Sequence, residues 1–389
     1  MLRIEDTLNG EPISFNYCQN AQDAREALDF VQASQWLSLD TEATHFNPYL
    51  PGWQLRTFQF GDGSKAYILP ARAHRSILKV LRACPRWVGH NGPHDIRCLD
   101  VHLGQSTGIV CAGETYIPAH HRDSRKQDEG GWGHGLKELA TRYVSREAGK
   151  WERALFDVFN TLKVPIEGEV YKSGPRKGTQ KYRKARRAEC WGLIDPEHPA
   201  YLTYAGSDPI LTSRLWLYLA PGINAELYHF DHRVQQACDV LYQRGIALDV
   251  AYTTRLRDSL FRRAQQYMRR AAELGCTDIF SGPKVAHALL DAGARLTAKT
   301  DTGKWKTTNR VLEGQILRGN DHVQALCRAI LMAKRCDKRA KAYADAMLRT
   351  CDINGRVHPS INSLGARTSR MSVTDPALQQ LPTKDAEHD

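Results

Sequence analysis

The spacing of hydrophobic and polar positions changes near residue 225, and the chain reads differently on either side. Before that point the apolar runs are short and strand-like. Trp36-Leu-Ser-Leu-Asp40 ends on an acid, and Thr57-Phe-Gln-Phe60 and Ala66-Tyr-Ile-Leu69 flank Gly61-Asp-Gly63, a hairpin turn signal. A helical patch over residues 75–81 follows, and Trp87-Val88 then runs into Gly89-His-Asn-Gly-Pro93. A polar, Gly-rich loop over 120–135 gives way to a helix opening at Gly135-Leu-Lys-Glu-Leu-Ala140. No period of 20–50 residues recurs, so the pattern is mixed α/β and not a solenoid.

After Pro221-Gly222 the period becomes helical. Phe230, Val234, Cys238 and Leu241 share one helical face, which predicts a core-facing stripe, and the helix should stop at Arg244-Gly245. Asp249 is placed to cap a long helix through Ala271, and a further helical stretch covers about 321–350. Both carry many Arg and Lys.

Composition narrows the class. The chain has 389 residues, 42% hydrophobic and 25% charged, which suits a globular protein of two or more domains. No apolar run approaches the roughly 20 residues of a membrane helix, and the first residues lack a signal pattern, so no membrane association and a cytoplasmic location are expected. Lys and Arg number 54 against 43 acids, a formal charge of +11 that suits a polyanionic partner. Ten scattered cysteines without a C-x-x-C pair read as reduced core thiols. Residues 172–187 hold eight basic side chains and no acid. They form either a solvated loop or an arm that tracks a nucleic-acid backbone.

Three separated segments offer carboxylates. Strand alternation puts Asp40 and Glu42 on one face, and their mutual repulsion is relieved by a divalent cation with a taste for oxygen ligands, Mg²⁺ or Mn²⁺. In His90-Asn91-Gly-Pro-His94-Asp95, Pro93 opens a helix with Asn91 at its cap and Asp95 in its first turn. The two histidines invite a zinc reading, but with Pro93 at the helix start they do not share a helical face. In Tyr204-Ala-Gly-Ser-Asp208 the phenol and the acid share a helical face, with Pro209 placing Asp208 at a helix start or a kink.

Together, D-x-E, N-x-x-x-D and Y-x-x-x-D resemble the DEDD superfamily of 3′-5′ exonucleases, tyrosine subclass, with a ribonuclease-H-like fold. The resemblance implies that Asp40, Glu42 and Asp208 ligate two divalent metal ions, with Asp95 holding one through water. It implies also that Tyr204 positions the attacking water and that Asn91 supports the second motif. Phe46 matches the apolar residue that wedges against terminal bases. Glu114, in Glu114-Thr115, is read as structural.

The second half resembles family A DNA polymerases. Ser281-Gly-Pro-Lys284-Val and Thr300-Asp-Thr-Gly303, with Thr307-Thr308, are similar to two elements of their thumb. Residues 366–382, from Ala366-Arg-Thr368-Ser-Arg370-Met-Ser372 to Leu378-Gln379-Gln-Leu-Pro382, are similar to the segment that contacts the primer–template minor groove. On that match Lys284, Arg370 and Gln379 contact DNA, Arg370 at the primer terminus and Gln379 on the template side. Ala377 and Gln380 stand where the family has asparagines.

The expected architecture is therefore α/β. A ribonuclease-H-like exonuclease domain over 1–225 is followed by a mostly α-helical thumb-like region over 226–352 and an incomplete palm over 353–389. The polymerase acidic motifs of the family come later than the last residue here, Asp389. The expectation is a metal-dependent 3′-5′ exonuclease acting on single-stranded 3′ ends and primer–template DNA, phage-type, without nucleotide addition of its own. It would be a shortened product or one half of a split polymerase completed by a second polypeptide. The first half alone would also allow an RNase D-like RNA exonuclease. The strand at 357–361 is expected to lack sheet partners.

Overall fold

The computed structural model describes residues 1–381. Pro382, the last residue of the minor-groove motif, and the end of the expected palm segment lie outside the described residues. The chain forms two compact units. The first comprises Met1–Arg244 with Ile361–Ser372, and the second comprises Gly245–Ser360 with the described residues from Val373 to Leu381.

The first unit is built on a seven-stranded sheet. Strands β1 (Leu2–Leu8) and β2 (Glu11–Tyr17) form a hairpin over Asn9-Gly10, both at positive φ as the tight turn requires. After α1 (Ala21–Gln32) come β3 (Leu37–Ala43), β4 (Leu55–Gly61) and β5 (Lys65–Pro70), then α2 (His74–Ala83), β6 (Trp87–Gly89), α3 (Gly92–Leu103) and β7 (Gly113–Glu114). The sheet order is β1-β2-β5-β4-β3-β6-β7. The β3-β4-β5 meander is antiparallel, and β6 and β7 add to β3 in parallel.

Alternation along β3 sets the chemistry. Leu37 and Leu39 turn to one face, into a core shared with Phe58, Phe60, Val31, Val80 and Leu99 from β4, α1, α2 and α3. Ser38, Asp40 and Glu42 turn to the other. That second face is covered by α8, reached through α4 (Tyr116–Arg122), α5 (Leu136–Tyr143), α6 (Lys150–Phe159), a hairpin of β8 (Lys163–Val170) and β9 (Gln180–Lys184), and α7 (Arg187–Leu193). Helix α8 spans Pro199–Leu219 without interruption, with Pro209 inside it. Of the two expected placements of Asp208, a helix start is ruled out, since the helix begins well before it at Pro199. The helix is buried along most of its length, the Ser38 hydroxyl donates to the Pro209 carbonyl at 2.5 Å, and packing outweighs the one lost backbone bond.

Two other expectations are corrected here. The basic stretch 172–187 is not one loop: residues 180–184 pair with 163–170, the hairpin tip 171–179 is non-strand, and Arg187 already opens α7. Helix α9 (Ala225–Arg244) buries Tyr228, His232, Gln235, Cys238 and Tyr242, whereas Phe230 and Leu241 of the predicted stripe are more than half exposed. The buried stripe is chosen by Asp239, which pairs with the buried Arg97 of α3, and by Tyr242, whose ring lies 3.9 Å under that guanidinium. α9 groups with the first unit.

The second unit is helical, as the periodicity predicts. After β10 (Ile246–Ala247), Asp249 caps α10 (Val250–Glu273) by accepting from the Tyr252 backbone N–H at 2.8 Å. Helices α11 (Gly282–Asp291), α12 (Asn309–Arg318) and α13 (Asp321–Lys338) close a core of Val285, Leu289, Leu312, Leu326 and Ile330. Strand β11 (Arg356–Val357) has a partner after all, pairing antiparallel with β10. All ten cysteines are free and nine are buried, in keeping with reduced core thiols.

Candidate active site

The end of β3, the first turn of α3 and the middle of α8 converge on one face of the first unit. Asp40 and Glu42 come from β3 and Asp208 from α8, and one carboxylate oxygen from each lies within 4.8 Å of the others. Gly206 lets α8 come this close, since a methyl group there would sit 2.6 Å from the Phe15 ring. Asp95, buried in the first turn of α3, is held by the Thr41 hydroxyl, which donates to its Oδ1 at 2.7 Å. Gln59, opposite Asp40 on β4, donates from Nε2 to Asp40 Oδ2 at 2.6 Å.

The electrostatics follow from burying four acids together. Burial pushes the Asp40 carboxyl up to about 6. Glu42 and Asp95 are raised well above the usual range by burial first and by the charge of Asp40 second. Lys137 of α5 is the cation among them. It pairs with Asp208, donates to the Ser207 hydroxyl at 3.1 Å, and lies 4.7 Å over the Tyr204 ring. Burial lowers its ammonium to about 8 against the opposing pull of Asp40 and Glu42. Tyr204, one helical turn before Asp208, is held as the neutral phenol by burial. This donor set of clustered hard oxygens, repelling one another, fits a divalent metal of the Mg²⁺ or Mn²⁺ kind.

A second layer fixes α3. Asn91 caps it in the left-handed region, φ 64°, and its side chain is exposed. Glu114, fully buried, accepts the backbone N–H groups of Asn91 at 2.7 Å, Gly92 at 2.8 Å and Tyr116 at 3.1 Å. Its role is structural, as the sequence suggests. His90 Nε2 donates to the His134 carbonyl at 3.0 Å, and its Nδ1 meets the Thr115 hydroxyl at 2.7 Å. His94 instead stacks beneath Phe46, ring centroids 4.2 Å apart and planes 10° from parallel. The two imidazoles thus have separate partners. Phe46 remains 60% exposed.

Of the other expected contacts, Arg370 is exposed on the 361–372 segment of the first unit. Lys284 lies in the first turn of α11, 3.4 Å from Asp278, and Gln379 is exposed in a short 3₁₀ turn, both in the second unit. Neither element contributes to the carboxylate cluster. Lys137, Thr41, Gln59 and the His94 platform were not anticipated. Strand alternation and hairpin register could have found Thr41 and Gln59, but no local signal marks Lys137.

Comparison with known proteins agrees with this geometry. Residues 250–389 match the family model described as DNA polymerase family A, and residues 15–155 match that of a 3′-5′ exonuclease. The chain is 29% identical over 399 residues to the DNA polymerase of Mycobacterium phage D29 and 28% identical over 400 residues to that of Mycobacterium phage L5. In both cases 99% of this chain and 62% of the relative are covered. The chain thus spans somewhat under two thirds of the length of those relatives. The POL domain of Pol1 from M. smegmatis, in complex with DNA primer-template and dNTP, superposes with a TM-score of 0.62 at 15% identity, covering 95% of this chain and 56% of that one. No helix among the described residues is long and apolar enough to cross a membrane.

Proposed function

The chain belongs to DNA polymerase family A and carries a 3′-5′ exonuclease domain, and from that premise we propose that it hydrolyses the terminal phosphodiester of DNA 3′ ends as a proofreading nuclease. The observation that carries the proposal is the convergence of Asp40, Glu42 and Asp208, with Asp95 in the adjoining helix turn.

Asp40, Glu42 and Asp208 are the residues to hold two divalent cations, Mg²⁺ or Mn²⁺, with Asp95 reaching one through water. Bound there, the ions would make the attacking water more acidic and stabilise the departing 3′ oxygen. The protein's own part is positional. Thr41 and Gln59 orient Asp95 and Asp40, so both carboxylates are aimed before loading. Tyr204, neutral at working pH, directs a water toward phosphorus with its hydroxyl. The water oxygen bonds to phosphorus as the P–O3′ bond breaks. The water gives up a proton and the departing O3′ takes one up, so the shortened strand ends in a 3′ hydroxyl and the terminal nucleotide leaves as a 5′-monophosphate. Phe46 offers an exposed face for stacking the terminal base, and the exposed Asn91 at the start of α3 is the residue to support the second motif.

The partner proposed is DNA, both as a single-stranded 3′ end and as a primer–template duplex. The chain's +11 charge and the exposed Lys284, Arg370 and Gln379 support that reading. The proposed location is the cytoplasm of a bacterium or phage-infected host. The test is digestion of a 5′-labelled single-stranded oligodeoxynucleotide in Mg²⁺ or Mn²⁺, beside Asp40→Ala and EDTA controls. Stepwise shortening abolished by both controls is expected. Shortening that survives Asp40→Ala would remove the carboxylate cluster from the chemistry, and faster loss of an RNA oligonucleotide would move the proposal to RNA.

A further inference from the structure

Lys137 reaches the carboxylate centre from an element that carries none of its acids. Helix α5 packs against α8, and the lysine stem crosses to Asp208. The ammonium there has three partners: the Asp208 carboxylate, the Ser207 hydroxyl at 3.1 Å and the face of the Tyr204 ring at 4.7 Å. The Ser207 hydroxyl, which donates to the Tyr204 carbonyl at 2.6 Å, also lies 3.1 Å from Asp208 Oδ1, so serine and lysine converge on the same acid oxygen. Both charged side chains are nearly withdrawn from solvent, at 14% and 10% exposure. An ion pair that dry holds firmly, because leaving either partner alone is costly.

An ammonium and a divalent ion on the one oxygen, Asp208 Oδ1, would sit within contact range and repel each other. Resting on the metal-dependent reading above, we propose that Lys137 is a displaceable internal counter-cation of the nuclease centre. It competes with the divalent ion for Asp208 and thereby sets the ion concentration at which the site fills. Before loading, Lys137 offsets the repulsion among Asp40, Glu42 and Asp208 and keeps β3 and α8 in register. On loading it yields the Asp208 oxygen, and the free energy of breaking that pair is subtracted from ion binding. Apparent affinity falls by the fraction of molecules in which the lysine is withdrawn. Lys137 acts through Asp208, so it is a positioning residue.

The sign of this effect separates the proposal from a merely structural role. A lysine that only scaffolds the site would weaken ion binding when removed, whereas a competitor would strengthen it. The experiment uses the full chain stripped with EDTA and titrated with Mn²⁺, free Mn²⁺ being read by electron paramagnetic resonance. Wild type is compared with Lys137→Met, Lys137→Gln and Lys137→Arg, each checked for native circular dichroism. Lys137→Gln keeps a polar, hydrogen-bonding end without the charge and guards against a Lys137→Met variant that does not fold. Both neutral variants should bind Mn²⁺ about 10-fold more tightly than wild type, and Lys137→Arg should stay near wild type. Without metal, the neutral variants should also melt below wild type, with the gap closing at saturating Mn²⁺.

Equal or weaker Mn²⁺ binding by both neutral variants, beside a wild type that binds, overturns the role of Lys137 and leaves the nuclease reading standing. Binding by the neutral variants alone is the strongest support. Absence of binding by every form overturns the metal-centre reading, and this inference with it.

Discussion

Phe46 lies flat on His94, ring centroids 4.2 Å apart and planes 10° from parallel, with its outer face open to solvent. The imidazole beneath is neutral, because burial and the Arg97 charge push its pKa down to about 3. A nucleobase stacking on Phe46 would complete a three-layer stack. Since a stacked base contributes ~1–3 kcal/mol, Phe46→Ala should raise KM for a single-stranded oligonucleotide about 10-fold and leave kcat within a factor of a few. Steady-state kinetics on a short oligonucleotide checks this, and an unchanged KM removes Phe46 from the substrate path.

Tyr204 should show the opposite split. Its hydroxyl is assigned to aiming a water, so Tyr204→Phe should lower kcat about 10²-fold with little change in KM. The ring, its contact with Lys137 and the packing against Trp191 survive the substitution, so the melting temperature should hold. A matching loss in KM would make the tyrosine a binding residue instead.

Asp40 gives the pH dependence. Its carboxyl rises from 3.8 to about 6 on folding, so between those values the folded chain keeps a proton that the unfolded chain has released. Stability from this group is therefore present at low pH and is lost as pH rises through 6. In EDTA, Asp40→Asn should match wild type near pH 4 and exceed it above pH 6, by on the order of 2 kcal/mol. Saturating Mg²⁺ should reverse the order. Thermal melts of both proteins across this range, with and without the ion, check the sign. Comparing the two proteins also cancels the buried His90 and His94, whose lowered pKa values act in the acid direction.

The β8–β9 hairpin carries a testable charge. Several of its bases are tied locally: Lys181 to Glu169, Arg183 to Glu189, and Lys184 to Asn160. Those at the tip, Lys172, Arg176 and Lys177, are the ones to meet a phosphate backbone. Replacing these three by serine should weaken single-stranded DNA binding and reduce the slope of log K against log salt by about 2. Fluorescence anisotropy across a salt series measures it, and an unchanged slope makes the tip a plain solvated turn.

Much of the fold and the carboxylate site is legible in the sequence because the signals are local. Strand β3 declared itself because Leu37 and Leu39 alternate with Ser38 and Asp40, and a period of two has one structural meaning. The Asp249 cap and the Gly245 stop were equally local. Helix α9 and its stop are legible too, but period alone cannot say which stripe is covered. The buried stripe is fixed by Arg97 on a distant helix, which gathers Asp239 and Tyr242 and leaves Phe230 outside. Lys137 was invisible for a related reason. Its neighbours in sequence give it an ordinary helix opening, and only the approach of α5 to α8 delivers it to Asp208. At Pro209 the sequence leaves a helix start or a kink open, and burial of α8 from many sides carries the helix through it.

The first unit is not contiguous, and this governs the order in which the protein can be made. Its segment Ile361–Ser372 contributes Leu364 to a core patch with Ile117 and Tyr228, and the Tyr116 hydroxyl donates to the Leu364 carbonyl at 3.1 Å. A ribosome reading from the amino end therefore releases the sheet, α8 and the acids long before the strip that covers this patch. All of residues 245–360 must emerge in between. The nascent nuclease fold waits with Ile117 and Tyr228 uncovered, and a protease cut in the second unit would strand the strip on the wrong fragment.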